Sequence, residues 1–408
     1  MTRALPPTGI DNLASITELS PWLFVLAIFI LVDVAKVYIE IWNRPARRSF
    51  STDLSSVTAL IATRDGRKVI GETIHSLLAL GLPCERILVV DDGSTDGTVE
   101  LLRSLGVRHY SIPNMGKVSA INFGIHRVTT EFVLLLDDDT RIGAARIPTG
   151  LLGEHDAVAF NVVPDRRDRH GPQGSNLLSA IQRYEYCKSM EIGRRFQDGA
   201  ASIACVSGAI GLFKTNRLAE HHHIHRGAFE GEDLERTLIE HLSRGQVVFV
   251  DERVWTVVPD TANKLLRQRL LYWYPAHYHM FKNYLTLLFR KGIKLRLRYE
   301  MAYNIYTVVL EPLRIYSLFR LVADLRLIEL GVLYLLYFLL EIYPFFIVRQ
   351  SLSLRKGATV LFVFPVYNII NMGLRQAALF VWLWKRFVTK EMKRKTEEDR
   401  KWWLAPTQ

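Results

Sequence analysis

The chain has 408 residues, 49% of them hydrophobic, which is enough for one large domain plus accessory elements. Its three cysteines, Cys84, Cys187 and Cys205, are odd in number and far apart. That excludes a disulfide framework or a cysteine zinc site and suits a reducing cytoplasm. The formal net charge of +11 is not evenly spread but falls largely on segments flanking apolar runs.

After a tail over 1–20, residues 21–43 (PWLFVLAIFILVDVAKVYIEIWN) form an apolar run long enough to span a bilayer, at ~20 residues per crossing. Asp33 and Lys36 interrupt it and are costly in lipid unless they face protein or snorkel. A cleaved signal peptide fits less well, because the basic leader is thin, no small-residue cleavage site follows and the run is too long. Arg44, Arg47 and Arg48 come next, so the positive-inside rule places the residues after them in the cytoplasm.

From 54 to 145, short apolar runs alternate with helical patterns. SSVTALIAT (55–63) reads as a strand and RKVIGETIHSLLAL (67–80) as a helix. ERILVVDD is the next strand, and TDGTVELLRSLG a helix ended by Gly106. VRHYSI, a helix around KVSAINFGIHRV, and EFVLLLDDD complete the series. Such alternation argues for an α/β fold with a mainly parallel sheet, whose ligands bind at the carboxyl ends of the strands. Two acidic clusters fall at those ends: Asp91 with Asp92, and Asp137, Asp138 and Asp139. Three adjacent carboxylates repel one another and call for a positive partner. Taken singly, each cluster reads equally as a turn or a solvated loop.

Further along, HHHIH (221–225) is too crowded for a metal site and reads as a polar surface segment. Between Asp260 and Glu300 no acidic residue occurs, while nine Lys and Arg residues are interleaved with Leu, Tyr, Trp and Phe. Residues 261–300 therefore read as basic interfacial helices on an anionic inner leaflet, in preference to a nucleic-acid patch. Membrane segments are expected over 301–386. Residues 328–348 and 357–384 are spanning candidates, and 303–322, with Glu311, Arg314 and Arg320, either spans against protein or lies in the interface. The tail over 387–408 is basic and expected in the cytoplasm, which requires an even number of crossings after the central domain.

The order of the blocks VVDDGSTDGT (89–98), NMGKVSAINFG (114–124), LLLDDDT (134–140), CVSGAIGLF (205–213), GEDLERTL (231–238) and TVVPDTANKLLRQRLLYW (256–273) resembles the membrane-bound family 2 inverting glycosyltransferases, the group that contains hyaluronan, chitin, cellulose and poly-N-acetylglucosamine synthases. The resemblance covers roughly 55–275 and implies a GT-A nucleotide-sugar-binding domain within 50–260, in a protein of the plasma membrane with its catalytic domain in the cytoplasm. It implies a UDP-sugar donor, with Asp91, Asp92 and Lys117 at the nucleotide. Asp137 and Asp139 would hold Mg²⁺ or Mn²⁺ against the diphosphate, Asp138 pointing elsewhere. Asp233, with Glu232 beside it, would be the general base; the competing reading makes both first-turn acids that complement a helix dipole. Ser207 and Gly208 resemble the loop lining the acceptor site.

One block departs from the family. Processive members carry Q-(Q/R)-x-R-W near the membrane, whereas this chain has Gln268, Arg269, Leu270, Leu271 and Tyr272, followed by Trp273. Gln268 and Arg269 match and are expected near the diphosphate, and Tyr272 or Trp273 remains able to stack on an acceptor sugar. The leading expectation is addition of a sugar to a growing β-linked polysaccharide exported through the protein's own membrane segments. The alternative is a single transfer to a lipid acceptor, such as a polyprenyl phosphate or ceramide-like lipid. A transport or signalling protein with a degenerate nucleotide domain is disfavoured by the intact acids.

Overall fold

A computed structural model describes residues 19–165, 177–222, 231–348 and 354–389. The basic tail beyond 389 and residues 223–225 of the histidine-rich stretch lie outside them.

The alternating apolar runs become seven strands: β1 (Val57–Thr63), β2 (Ile87–Asp91), β3 (Arg108–Ser111), β4 (Phe132–Asp137), β5 (Ala157–Pro164), β6 (Ile210–Lys214) and β7 (Val247–Thr256). They form one sheet in the order β3-β2-β1-β4-β6-β5-β7. Every residue of β1 and β2 is buried, as expected of central strands covered on both faces. The expected parallel character holds for the pairs β1–β2, β1–β4, β2–β3 and β5–β7. β6 runs antiparallel to both β4 and β5, a reversal that alternation in sequence could not disclose.

Register puts the chemistry on one edge. Thr63 at the end of β1 pairs with Asp91 at the end of β2, and Ala62 pairs with Asp137 at the end of β4. Both acidic clusters therefore emerge level with each other, on either side of β1, where connections leave the sheet in opposite directions.

The soluble helices are α2 (Ile70–Ala79), α3 (Thr98–Ser104), α4 (Lys117–Ile125), α5 (Leu177–Lys188), α6 (Thr215–His222) and α7 (Glu232–Leu242), preceded by α1 (Pro21–Trp42). The expected helix over 67–80 is shorter in the structure, because 67–69 form a turn before Ile70. After β7 come α8 (Ala262–Gln268), a π-helical turn (Arg269–Trp273), α9 (Tyr274–His279) and α10 (Phe281–Phe289). The membrane half follows as α11 (Leu295–Ala323), α12 (Leu327–Val348) and α13 (Leu354–Leu383).

Three helices among the described residues are long and apolar enough to cross a membrane: Pro21–Trp42, Leu327–Val348 and Lys356–Val388. Two of them follow the sheet domain. α11, with Glu311 and Arg314 buried, is not among the three. The charges inside α1 face protein. Asp33 pairs with Arg314 at 2.8 Å and accepts from the Tyr303 hydroxyl at 3.0 Å, while Lys36 pairs with Glu40 and with Glu300 at 3.2 Å. The two halves are joined by a shared apolar cluster in which Ile181, Tyr184 and Cys187 of α5 pack with Phe345 and Val348 of α12 and Val360, Phe364 and Tyr367 of α13.

Candidate active site

At the end of β4 the three consecutive aspartates separate. Asp138 turns back and accepts from the Thr63 hydroxyl at 2.6 Å, and its carbonyl accepts from Thr73 of α2 at 2.7 Å. Gly66 makes room for this arrangement, since a Cβ there would lie 2.2 Å from the Thr63 hydroxyl and 2.5 Å from the Asp138 carboxylate. Asp137 faces the other way, 2.6 Å from the Lys117 ammonium, and Asp139 accepts from the Thr256 hydroxyl at 3.3 Å. Burial pushes Asp137 up to about 6; Glu232 and Asp138 add to this and Lys117 opposes it. Burial pushes Asp139 up to about 7, with Asp137 and Asp138 adding. The two carboxylates thus carry negative charge that protein cations compensate only in part.

Lys117 is the first residue of α4, and what precedes it fixes its place. Gly116 adopts φ +91°, a conformation L side chains rarely enter. The buried Asp92 carboxylate accepts from the Met115 and Gly116 N–H groups at 2.7 and 2.8 Å. Asp92 therefore holds the 114–116 loop in place. Asp91, also buried, accepts weakly from Ser94 N–H at 3.3 Å.

Opposite β4, α7 opens with Glu232 and Asp233. Lys117 bridges Asp137 and Glu232, each at 2.6 Å. Burial works against ionised Glu232, but Lys117 and then Arg236 outweigh it and lower Glu232 to about 2. The same two carboxylates keep the Lys117 ammonium charged despite burial. Asp233 accepts from Gly208 N–H at 3.0 Å and from Leu234 N–H at 2.8 Å. The Asp233 carbonyl takes the Thr237 hydroxyl, which in turn accepts from Val206 N–H. Gly208 is the hinge of the site. Its amide holds Asp233, while a Cβ on it would lie 3.4 Å from Lys117 Nζ and 3.6 Å from the carboxylates of Asp137 and Glu232. Ser207 beside it accepts from Ala209 N–H at 3.3 Å. Burial pushes the neighbouring Cys205 thiol up to about 12, with Asp233 adding, so Cys205 forms part of the wall next to Asp233.

The departing block lies in the π-helical turn, in which Tyr274 N–H donates to Arg269 C=O instead of to residue 270. A π turn absorbs one extra residue into a helix. Trp273, one place late in sequence, is thereby brought back toward the phase a tryptophan at 272 would have had. Arg269 is buried and pairs with Glu185 of α5 at 2.5 Å. Its guanidinium lies 4.1 Å from the Trp273 ring centroid. Gln268 and Tyr272 are half-buried on the same turn.

The pair Asp137 and Asp139, two hard oxygen donors with part-compensated charge, fits a divalent cation. No group of three or more His, Cys, Asp or Glu side chains able to hold a metal occurs among the described residues, so the remaining ligands of such an ion would come from a bound diphosphate and water. Sequence reasoning missed Thr63, Gly66, Thr256 and Tyr186. The first two bear no motif, and Thr256 opens a block whose signal lies in its later residues. Tyr186 sits where the charges of Arg269, Glu185, Asp139 and Asp233 all reach its phenol, which burial raises.

A mixed sheet thus carries acidic clusters at the carboxyl ends of β2 and β4, and an acid pair from α7 faces the second of them across Lys117. Residues 58–217 match the glycosyl transferase family 2 model. The chain is 26% identical over 251 residues to poly-beta-1,6-N-acetyl-D-glucosamine synthase of Staphylococcus aureus, covering 60% of each. It is 24% identical over 279 residues to the synthase of the same name from Staphylococcus epidermidis, covering 63% of this chain and 65% of that one. The match thus spans less than two thirds of these relatives' length. The fold is shared with the mannosyltransferase PcManGT from Pyrobaculum calidifontis in complex with GDP-Man and Mn²⁺, at a TM-score of 0.56 and 15% identity over 89% of this chain and 98% of that one. Residues 58–217 thus carry a glycosyl transferase family 2 domain, and the fold is of the GT-A type.

Proposed function

We propose that the protein is an integral-membrane inverting glycosyltransferase that adds sugars from a UDP-sugar to a growing β-linked polysaccharide, with N-acetylglucosamine as the sugar its relatives suggest. Gly208 carries the reading: it ties Asp233 to one side of a cleft whose other side is Asp137 and Lys117. The donor diphosphate lies against Asp137, Asp139 and Lys117, with Asp91 and Asp92 toward the nucleoside. A divalent cation on Asp137 and Asp139, as Mn²⁺ accompanies GDP-Man in the archaeal mannosyltransferase, would neutralise charge on the departing diphosphate. Asp233 receives the proton of the acceptor hydroxyl. That oxygen bonds to the anomeric carbon on the face opposite the breaking carbon–phosphate-oxygen bond, so the configuration inverts. Glu232, kept ionised, holds Lys117 in place.

A polysaccharide is favoured over a single lipid acceptor by a cavity of about 500 Å³ that begins at Cys205 and Leu234 and continues between the membrane helices past Asn304, Asn368 and Arg375. The charged and amide side chains in this lining offer hydrogen-bond partners that sugar hydroxyls use and an acyl chain does not. The arginines after α1 favour a cytoplasmic sheet domain, and the plasma membrane is the location proposed with it.

Purified protein is expected to release UDP from a UDP-sugar in a Mg²⁺- or Mn²⁺-dependent way and to give a product ladder on a gel. Asp233→Asn should lower transfer by ~10²–10⁴-fold while UDP still binds. An Asp139→Ala variant with undiminished turnover would remove the cation from the scheme, and a single glycolipid spot would replace the polymer with a lipid acceptor.

A further inference from the structure

Around the cleft, negative charge outnumbers positive. Asp137, Asp139, Glu232 and Asp233 border it, and the Lys117 ammonium reaches two of them, Asp137 Oδ1 and Glu232 Oε1, each at 2.6 Å. Asp139 makes no ion pair among the described residues and accepts instead from the Thr256 hydroxyl at 3.3 Å.

The two ends of the Lys117 bridge are unequal. The Glu232 side chain is only 11% exposed and lies one helical turn before the buried Arg236, whose charge joins that of Lys117 in keeping it ionised. Asp137 keeps 29% of its side chain open and has Asp139 two residues on as a second oxygen donor. Glu232 is therefore the fixed end and Asp137 the end that can let go. The ammonium is free to shift between them, since Gly208 beside it presents no side chain; a Cβ there would lie 3.4 Å from Nζ.

Two demands collide at Asp137. As an ion ligand it gives its oxygens to a divalent cation, and an ammonium within contact distance of the same carboxylate repels that cation. We propose that Lys117 guards Asp137 against a lone cation: the ammonium must yield that carboxylate, with Glu232 as its remaining anchor, for an ion to be held by Asp137 and Asp139, and it yields to an ion that arrives with a diphosphate. An ammonium carries three donors, so once released from Asp137 it has one to turn toward the phosphates. The cost of displacing Lys117 falls on the ion alone, and the diphosphate offsets it by giving the ammonium a new anion. Ion and donor are thereby loaded together. The inference rests on the sugar-transfer reading and ties the two ligands of that site to each other through one lysine.

The test is calorimetric titration of the full-length protein in detergent with Mn²⁺ alone and with Mn²⁺ at saturating UDP, at about pH 8 so that protons do not compete for the two carboxyls. The unaltered protein is expected to bind Mn²⁺ weakly alone and about tenfold more tightly, or better, with UDP. Lys117→Gln removes the charge and keeps an amide donor; Mn²⁺ alone should then bind about tenfold more tightly, with little further gain from UDP. Lys117→Arg keeps the charge and should retain the weak binding of Mn²⁺ alone. Glu232→Gln gives the reverse test in a separate variant: it leaves the ammonium to Asp137, so Mn²⁺ alone should weaken several-fold and the UDP effect should grow. Asp139→Ala should abolish Mn²⁺ binding with and without the Lys117→Gln change. Unchanged or weaker Mn²⁺ binding in Lys117→Gln, a UDP effect that survives that variant in full or fails to grow in Glu232→Gln, or Mn²⁺ binding indifferent to Asp139→Ala would each overturn the proposal. Lys117-dependent coupling of Mn²⁺ and UDP in a protein that turns over no UDP-sugar would instead sink the transfer reading and leave the competition at Asp137 standing.

Discussion

Asp137 and Asp139 sit one residue apart from Asp138 on either side, yet their surroundings differ enough to give them separate work. Asp138 is absorbed by Thr63, whereas the outer two keep charge facing the cleft. Because burial and like charges raise both outer carboxyls above the usual range, to about 6 and about 7, ionising them costs free energy in the metal-free fold. The sign follows: the unfolded chain ionises these groups first, so the pair progressively destabilises the fold as pH rises from the ordinary carboxylate range, about 4, to the raised values, and the penalty is constant above them. A cation needs the ionised pair, so protons compete with it. Apparent Mn²⁺ affinity is expected to fall by up to about tenfold for each displaced proton per pH unit as pH drops through 7 and then 6. Calorimetric titrations with Mn²⁺ across that range check it, and an affinity flat with pH would mean that the ion sits elsewhere.

Between elements, the loop before α4 has the tightest requirement. Asp92 at the end of β2 grips the amides of Met115 and Gly116, and only the φ of +91° at Gly116 lets those amides face it while Lys117 starts the helix. Gly116→Ala is therefore expected to cost ~1–3 kcal/mol. It should also pull Lys117 away from Asp137 and Glu232. A lowered midpoint of thermal unfolding together with weakened UDP binding is the expected pair of effects; loss of neither would mean the loop relaxes without strain. The π turn after α8 acts at the same scale, because one added residue in a helix would otherwise rotate every following side chain by ~100°.

Across the whole molecule, catalytic and membrane halves share an interior. α5 packs onto α12 and α13, and its Tyr184 and Lys188 meet Glu341 of α12 at 2.7 and 2.5 Å. Between α11 and α1, Arg314 is buried against Asp33. Arg314→Ala leaves that carboxylate without its cation and is expected to destabilise by about 3–5 kcal/mol. Pairing it with Asp33→Leu should recover much of the loss. Unfolding followed for both single variants and the double variant gives the coupling, and an additive double variant would deny the pair any shared energy.

Much of this protein could be read from order and periodicity. The strand–helix alternation, the acids at strand ends and the apolar spans are local patterns, and each follows from what a few consecutive residues do to a backbone. The turn of Asp138 away from its neighbours has another origin, because β4 ends at Asp137, residues 138–139 form a turn, and Thr63 of β1 and Thr73 of α2 hold Asp138 from afar. Other features depended on residues far apart in sequence. The reversed β6, the bridge from Lys117 to both Asp137 and Glu232, the Gly208 amide on Asp233 and the Glu185–Arg269 pair each join segments 20 to 115 residues distant. No local window contains both partners of such a contact, so only the closed chain could decide them. Sequence supplied the groups that can do the chemistry; tertiary packing chose which of them share a cleft.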